Sequence, residues 1–519
     1  MATPQEKFVE ALRLLKELQD RGVVGIHISS LPNIKHRQLL IKHGFIREVS
    51  KGWYIATDPA EINGETTAWF SSYWEFIAQY LEHKYNENWC LSADQSLAIH
   101  AGNWTIPEQL IVRSSKGNNK PTPLPYSTSF FNLKTDIPAK GHLVVYKGIR
   151  LYSLQAALVY CTAASFSYRP IDARTALSLI RDASEVLPIL LENGHTKYAG
   201  RLAGAFRNNT QEKIAVQIIE TFKQADYEIR VEDPFNQKLT IQLSNRTSSP
   251  YVNRIRLMWQ QMREVVLAHL PPSVILPNEQ QKLFKVIDDI YLTDAYHSLS
   301  IERYKVTPAL IEKVSSGKWN LKDNMEDRKQ RDAMAARGYY QSFLAVKESI
   351  KSILDGGNPG VVANNQHSKW YRELFDPSVA AGILRPSDLA GYRSHQVYIG
   401  NSKHVPLSVD AMRDAMPVLF ELLEEEKEAA VRAVLGHFIF VFIHPYMDGN
   451  GRIGRFLMNV MLVTGGYPWI VIPFENRDEY MKALESASVA MDIEPFAKFI
   501  SLLLKESLSG KSRAVLPKQ

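Results

Sequence analysis

The sequence predicts a multidomain, mainly α-helical protein: an N-terminal winged helix-turn-helix, an α+β middle domain, and an all-α C-terminal domain carrying one short β-hairpin. Three observations carry this. At 519 residues the chain is too long for one ordinary domain. Apolar residues recur at the helical period in the first twenty residues and almost everywhere beyond Tyr251. Between those regions, strand-like runs such as "EQLIVRSS" and "HLVVYKGIRLYS" alternate with helical ones. Hydrophobic residues make up 45% and charged residues 22%, enough apolar surface to bury sizeable cores.

The first domain is expected over residues 1–57. Phe8, Leu12 and Leu15 place one face of a helix at about Glu6–Asp20, and Gly22 stops it. "SLPNIKHRQLLIKHGFI" reads as one or two short helices, and "FIREVSKGWYIAT" as a hairpin turning at Ser50-Lys51-Gly52. Three helices followed by a hairpin is the order of a winged helix. Between Arg21 and Thr57 six basic residues face the single acid Glu48. Arg37, Lys42 and Lys51 are therefore candidate contacts for DNA phosphates; the alternative is a solvated face.

The middle domain is expected over 58–245. There "KGNNKPTPLPYS" reads as a loop and "TALSLIRDASEVLPILLENG" as a helix. The polar stretch "SNRTSSPYV", Ser244–Val252, marks a boundary, and the third domain fills 246–519. It reads as a series of long helices. The exception is "YRSHQVYIGNSKHVPLS", whose alternation and Gly400-Asn401 predict the hairpin.

No run approaches twenty uninterrupted apolar residues, so no membrane partner is expected. The N-terminus lacks the apolar core of a secretory signal. The two cysteines, Cys90 and Cys161, form no metal-ligand spacing. A reducing cytoplasm follows as the expected compartment.

The chemistry concentrates in "HPYMDGNGRIGR", His444–Arg455. The apolar helix before it must end at His444, because Pro445 disfavours helical backbone there. "GRIGRFLMNVMLVTGG" resumes the helical pattern. A glycine-rich turn feeding a helix N-terminus lets the backbone N–H groups of Gly449, Asn450 and Gly451 converge on phosphate oxygens. Arg452 and Arg455 can neutralise further phosphates. Asp448 can hold Mg²⁺, and His444 can take a proton from a hydroxyl.

That ordered set resembles the signature of Fic-domain proteins, with Tyr446 at the usual Phe position. The resemblance spans about Tyr251–Ser507. It implies transfer of AMP from ATP, with Mg²⁺ or Mn²⁺, to a hydroxyl of a protein target, the chain itself being one candidate. His444 would be the base and Asp448 the metal ligand. Gly449, Asn450 and Gly451 would hold the α-phosphate, and Arg452 and Arg455 the outer phosphates. "LAGYRSHQVYIGNSKHVPLS" resembles the flap hairpin of the family, implying that Val397, Tyr398 and Ile399 hold the target chain. Ser298 to Glu302 resembles the family's inhibitory motif, on a helix near 283–303. This implies that Glu302 pairs with Arg455 and holds the enzyme off. Arg303 stands where that motif has Gly or Asn, which leaves the end of that helix open. The N-terminal half resembles AbiE-type abortive-infection antitoxins through "RQLLIKHGFIREVSKGWYIAT", "LSADQSLAIHAGNWTIPEQLIV" and "YSLQAALVYC". That implies binding of promoter DNA; winged helices also serve as protein-binding modules. Two other functions stay open at this point: a DNA-binding regulator whose Fic domain senses nucleotide, and an enzyme removing AMP from modified protein.

Overall fold

The computed structural model describes residues 3–60, 65–192, 194–239, 241, 243, 249–273, 280–316, 327–511 and 513–517. They form two compact units, Met1–Arg254 with Tyr398–Val405, and Ile255–Val397 with Pro406–Gln519. No helix among the described residues is long and apolar enough to cross a membrane. Residues 244–248 of the expected boundary lie outside the described residues.

In the first unit the chain begins α1 (Pro4–Asp20), β1 (Ile26–His27), α2 (Ile34–Lys42), β2 (Ile46–Ser50) and β3 (Trp53–Ala56). Thr3 and Glu6 start α1 as a reciprocal capping box. The sheet order is β1-β3-β2, and Gly52 (φ 76°) makes the expected hairpin turn. Ala11, Leu15, Leu40 and Ile46 close a small core over it. Two helices, not the three of the expected order, precede the hairpin. The segment between α1 and α2 is instead a strand and turn. Its amides Ile28 and Ser30 donate to Gly52 and His27 carbonyls, and Asn33 caps α2 only after Pro32.

Next come α3 (Thr67–Tyr85), β4 (Cys90–Leu91), α4 (Ala93–His100), β5 (Gln109–Ser114), β6 (Pro121–Leu124) and β7 (Thr128–Lys134). The sheet order is β4-β5-β7-β6, with β5 parallel to β7. Strand β6 lies where a loop was expected. Pro121 and Pro123 lack a donor, yet they are tolerated because β6 is an edge strand. A second hairpin joins β8 (Leu143–Tyr146) to β9 (Ile149–Tyr152). Helices α5 (Leu154–Tyr160), α6 (Ala163–Tyr168), α7 (Pro170–Ser178), α8 (Leu187–Glu192), α9 (Thr196–Asn208) and α10 (Glu212–Gln224) follow. The run expected as one helix breaks between α7 and α8, where Asp182 and Glu185 build a capping box over a 3₁₀ turn.

The segment Tyr398–Val405 packs with this unit. The expected flap hairpin is not formed: none of the described residues 389–408 is in a strand. The turn is there, with Asn401 left-handed (φ 60°) and Ser402 N–H donating to Ile399 O at 3.2 Å. The ladder is missing because the segment pairs elsewhere: Ile106 N–H donates to Lys403 O at 3.0 Å.

The second unit holds α11 (Pro250–His269, all but its first turn), α12 (Gln280–Ile301), α13 (Pro308–Ser315), α14 (Asp327–Leu354) and α15 (Pro359–Ala380). It continues with α16 (Val409–Glu425), α17 (Ala429–Ile443), α18 (Asn450–Thr464), α19 (Arg477–Glu485) and α20 (Glu494–Leu508). Val434, Leu435, Phe438, Ile439 and Phe442 bury α17 nearly all round. Each such side chain stabilises by about 1.5–3 kcal/mol. Helix α18 packs on α17 and against α14 and α15, so the joint between α17 and α18 sits on a rigid platform.

Candidate active site

His444 caps α17 in the left-handed conformation, φ 57° and ψ 62°. Pro445 excludes the right-handed helix there, and a β-substituted residue in this region costs about 1–2 kcal/mol. Its imidazole is partly buried. Nδ1 lies 3.1 Å from Val441 O. A carbonyl only accepts, so Nδ1 carries the hydrogen and Nε2 keeps its lone pair. Burial pushes the imidazole down to about 4, with the cation of Arg393 acting in the same direction. The ring is therefore neutral at pH 7, the form a base requires.

The loop is held by its own side chains. Asn450 Oδ1 accepts from Tyr446 N–H (2.9 Å), and its Nδ2 donates to Tyr446 O (2.8 Å). These bonds use the Asn450 amide to shape the loop. Tyr446 is fully buried and stacks on Tyr371 with 3.9 Å between ring centroids. Its hydroxyl has no partner among the described residues.

Gly449 (φ 78°) is the N-cap of α18. Gly451, one residue inside the helix, is bare for a different reason. A Cβ there would lie 2.5 Å from Glu302 Oε1 and 3.1 Å from Arg455 Nη1. The Glu302 carboxylate thus lies against the first turn of α18, where unpaired N–H groups and the helix dipole favour an anion.

Arg455 seals this contact. Its Nη2 donates to Glu302 Oε1 (2.9 Å) and Ser298 O (3.0 Å), and its Nε donates to Ser298 Oγ (2.8 Å). The two charged side chains are 5% and 27% exposed. Burial works hardest against the Arg455 charge, but the Glu302 carboxylate together with the Tyr480 and Tyr339 hydroxyls holds the guanidinium above its ordinary pKa. Helix α12 ends at Ile301. Arg303 then takes the left-handed turn (φ 66°) that Gly or Asn would adopt without strain. The helix therefore does end beside Glu302, with arginine in place of Gly or Asn at the left-handed position.

Arg452 is 1% exposed, and its guanidinium lies over the rings of Tyr304 and Phe375, 5.2 and 5.0 Å from their centroids. Asp448 is the opposite: its side chain is 62% exposed. One oxygen accepts from Gly449 N–H at 2.6 Å and the other lies 3.4 Å from Arg452. No cluster of three metal-ligating side chains occurs among the described residues. The fit for Mg²⁺ is therefore the kind that takes one carboxylate and completes its shell with phosphates and water. The fit for a polyphosphate is closer. Among the described residues Arg455 Nη1 and Arg452 Nε are buried without a hydrogen-bond partner, beside a glycine whose missing Cβ leaves space for an anion.

Two residues lay beyond the sequence reading. Asp294, on the face of α12 that carries Ser298 and Glu302, is buried and accepts from Tyr339 OH at 2.6 Å. Burial raises its carboxyl to about 6. Arg393, also buried, donates from Nε to His444 O at 2.8 Å. The sequence signal for Arg393 was only a lone arginine ahead of an expected turn. Of the flap residues, Val397 falls in the second unit and Tyr398 and Ile399 in the first. Arg37 donates to Leu31 O from α2, while Lys42 and Lys51 are exposed at the end of α2 and in the β2–β3 turn.

The Fic/DOC family model matches residues 365–462. The chain is 26% identical over 310 residues to a protein adenylyltransferase Fic of Nematostella vectensis, covering 57% of this chain and 67% of that protein. It is 35% identical over 131 residues to a protein adenylyltransferase Fic of Drosophila willistoni, covering 24% of this chain. It spans only 26% of the length of that relative. Among solved structures, Fic-1 from C. elegans aligns with a TM-score of 0.38 at 14% identity, covering 69% of this chain and 87% of that one. Residues 365–462 thus match the Fic/DOC family, and the relatives that the chain resembles are named protein adenylyltransferase Fic.

Proposed function

We propose that this protein transfers AMP from ATP to a hydroxyl of a protein target, and that Glu302 holds the reaction off until it is displaced. The observation that carries this reading is the Glu302 carboxylate resting on Gly451 and paired with Arg455, where an anion cradle is built and two guanidinium nitrogens remain unpartnered. ATP would place its α-phosphate against the N–H groups of Gly449, Asn450 and Gly451, with its outer phosphates on Arg452 and Arg455. Asp448 would hold Mg²⁺, which supplies charge neutralisation for the phosphates. His444 Nε2 accepts the proton as the target hydroxyl attacks the α-phosphorus. The α–β phosphoanhydride bond breaks and pyrophosphate leaves. With Glu302 in place, Arg455 cannot take a phosphate, and ATP enters with its α-phosphate displaced. An error of about 1 Å can cost on the order of 10²-fold in rate.

The segment Val397–Ile399 would hold the target chain by strand addition, its own strand partner being absent. In the first unit, Lys42 and Lys51 with Arg37 would contact DNA phosphates.

The test is label transfer from α-labelled ATP with Mg²⁺ or Mn²⁺. Glu302→Gly should raise transfer, including self-modification, and His444→Ala added to it should abolish the gain while ATP still binds. A folded Glu302→Gly protein with no more transfer than wild type would sink the inhibitory reading.

A further inference from the structure

The flap was expected to be braced as a hairpin, and it has no ladder. Something else must fix its two stems. Arg393 is 1% exposed, and every nitrogen of its guanidinium meets a backbone carbonyl. Nη1 donates to His395 O (2.9 Å), on the stem entering the flap, and Nη2 to Leu407 O, on the stem leaving it. Nε donates to His444 O (2.8 Å), and the Arg393 backbone N–H to Pro445 O (2.9 Å). Gln396 adds a second cross-tie, Nε2 to Pro406 O at 2.8 Å.

A buried cation without a carboxylate is costly, and among the described residues Arg393 makes no ion pair. Burial lowers its pKa to about 10, so it remains charged at pH 7. The only side chain with donors diverging to three carbonyls from one rigid plane is arginine; lysine offers a single nitrogen.

Resting on the transferase reading above, we propose that Arg393 is a positioning residue that binds both flap stems, at His395 and Leu407, to the backbone of His444, so that these stems and the base move as one body. A target strand added to the flap then loads the same guanidinium that fixes the left-handed backbone of His444. The acceptor hydroxyl and Nε2 keep their relative position while the target chain is exchanged.

The variant to make is Arg393→Lys, alone and with Glu302→Gly, because it keeps the charge and removes the fork. Label transfer onto the protein itself from α-labelled ATP should fall in kcat by roughly 10-fold or more in the double variant. ATP affinity by calorimetry should stay within about two-fold, since the phosphate cradle belongs to α18. Hydrogen exchange on the single variant gives a readout independent of transfer. The amide at position 393, bonded to Pro445 O, and those of His444 and Tyr446 should lose protection together, while the interiors of α17 and α18 keep theirs. NMR of the His444 ring adds a third measure. The charged groups facing it are Arg393, Glu302 and Asp448. Arg393→Gln removes the cation among them and should raise the ring pKa, whereas Arg393→Lys should raise it less.

Loosening of only one of the two segments, or full kcat in the double variant, overturns the proposal. Parallel loss of ATP binding and transfer also overturns it, making Arg393 a general brace of the fold. If Glu302→Gly alone shows no transfer, the transferase reading has failed, and the exchange and NMR measurements still decide the coupling.

Discussion

Replacing Glu302 by Ala should make the protein less stable without nucleotide and bind ATP more tightly. The Arg455–Glu302 pair is 2.9 Å apart with the guanidinium 5% exposed, so removing the carboxylate leaves a buried cation. Breaking a buried pair from one side costs about 3–5 kcal/mol. Here Glu302 is 27% exposed and Arg455 keeps both contacts to Ser298, so about 2–3 kcal/mol is expected. At roughly 2–4 °C per kcal/mol for a unit of this size, Tm should fall by about 4–12 °C. In wild type, ATP must displace the carboxylate and forfeit that same energy. The variant should therefore bind ATP about 30–100-fold more tightly, at a factor of ten per 1.4 kcal/mol. At saturating Mg-ATP the two melting curves should converge, because ligand binding adds stability in proportion to its affinity. Thermal melting with and without Mg-ATP, paired with calorimetry, measures both sides of this linkage. An unchanged apo Tm, or equal ATP affinity in the two proteins, would refute the competition between carboxylate and phosphate.

Other expectations follow from single contacts. Tyr446→Phe removes a buried hydroxyl that has no partner and keeps the stack on Tyr371, so stability should rise by about 1 kcal/mol with transfer unchanged; a drop in Tm would mean the hydroxyl is bonded. Asp448→Ala should abolish metal dependence of ATP binding, because the other residues of the loop offer no carboxylate; unchanged Mg-ATP affinity would place the metal elsewhere. Neutralising Arg37, Lys42 and Lys51 together should weaken binding of the full chain to promoter DNA and flatten its salt dependence. Wild type showing no salt-sensitive DNA binding would leave these residues a solvated face.

What the sequence disclosed depended on whether a residue type has one physical use. The helix end at His444 and the turn into α18 were legible because a proline after histidine, and Gly-Asn-Gly before a helical pattern, each have few alternatives. The pairing of Glu302 with Arg455 was reachable only through resemblance, since the two lie on helices far apart in sequence. The flap shows a different limit. Alternation at Val397 and Ile399 with Gly400-Asn401 correctly signals a turn, and Asn401 does adopt positive φ. It carries no information on where the neighbouring backbone groups find partners, and here one goes to Ile106. β6 was missed for a related reason: its prolines argue against a central strand but not against an edge. Arg393 and Asp294 were invisible because a charged residue is assumed exposed until tertiary packing buries it.

Burial and charge give a physical reason for a carboxylate to sit beside the proposed phosphate cradle. Arg452 and Arg455 are both almost fully buried, and they stand beside the positive end of α18. Without an anion, two desolvated cations and a helix N-terminus would face one another across a glycine. Burial of unpaired charge is costly enough that such a site would loosen or hydrate. Glu302 removes that cost: it supplies the anion within the chain, on a helix that ends one residue before it, through a left-handed turn at Arg303 that is itself strained. On the proposed reading, the contact that stabilises the resting protein is thus the one that keeps a phosphate from Arg455. Weakening it cannot raise activity without also lowering apo stability, and a ligand or partner that draws Glu302 away must contribute binding energy of the same 2–3 kcal/mol order.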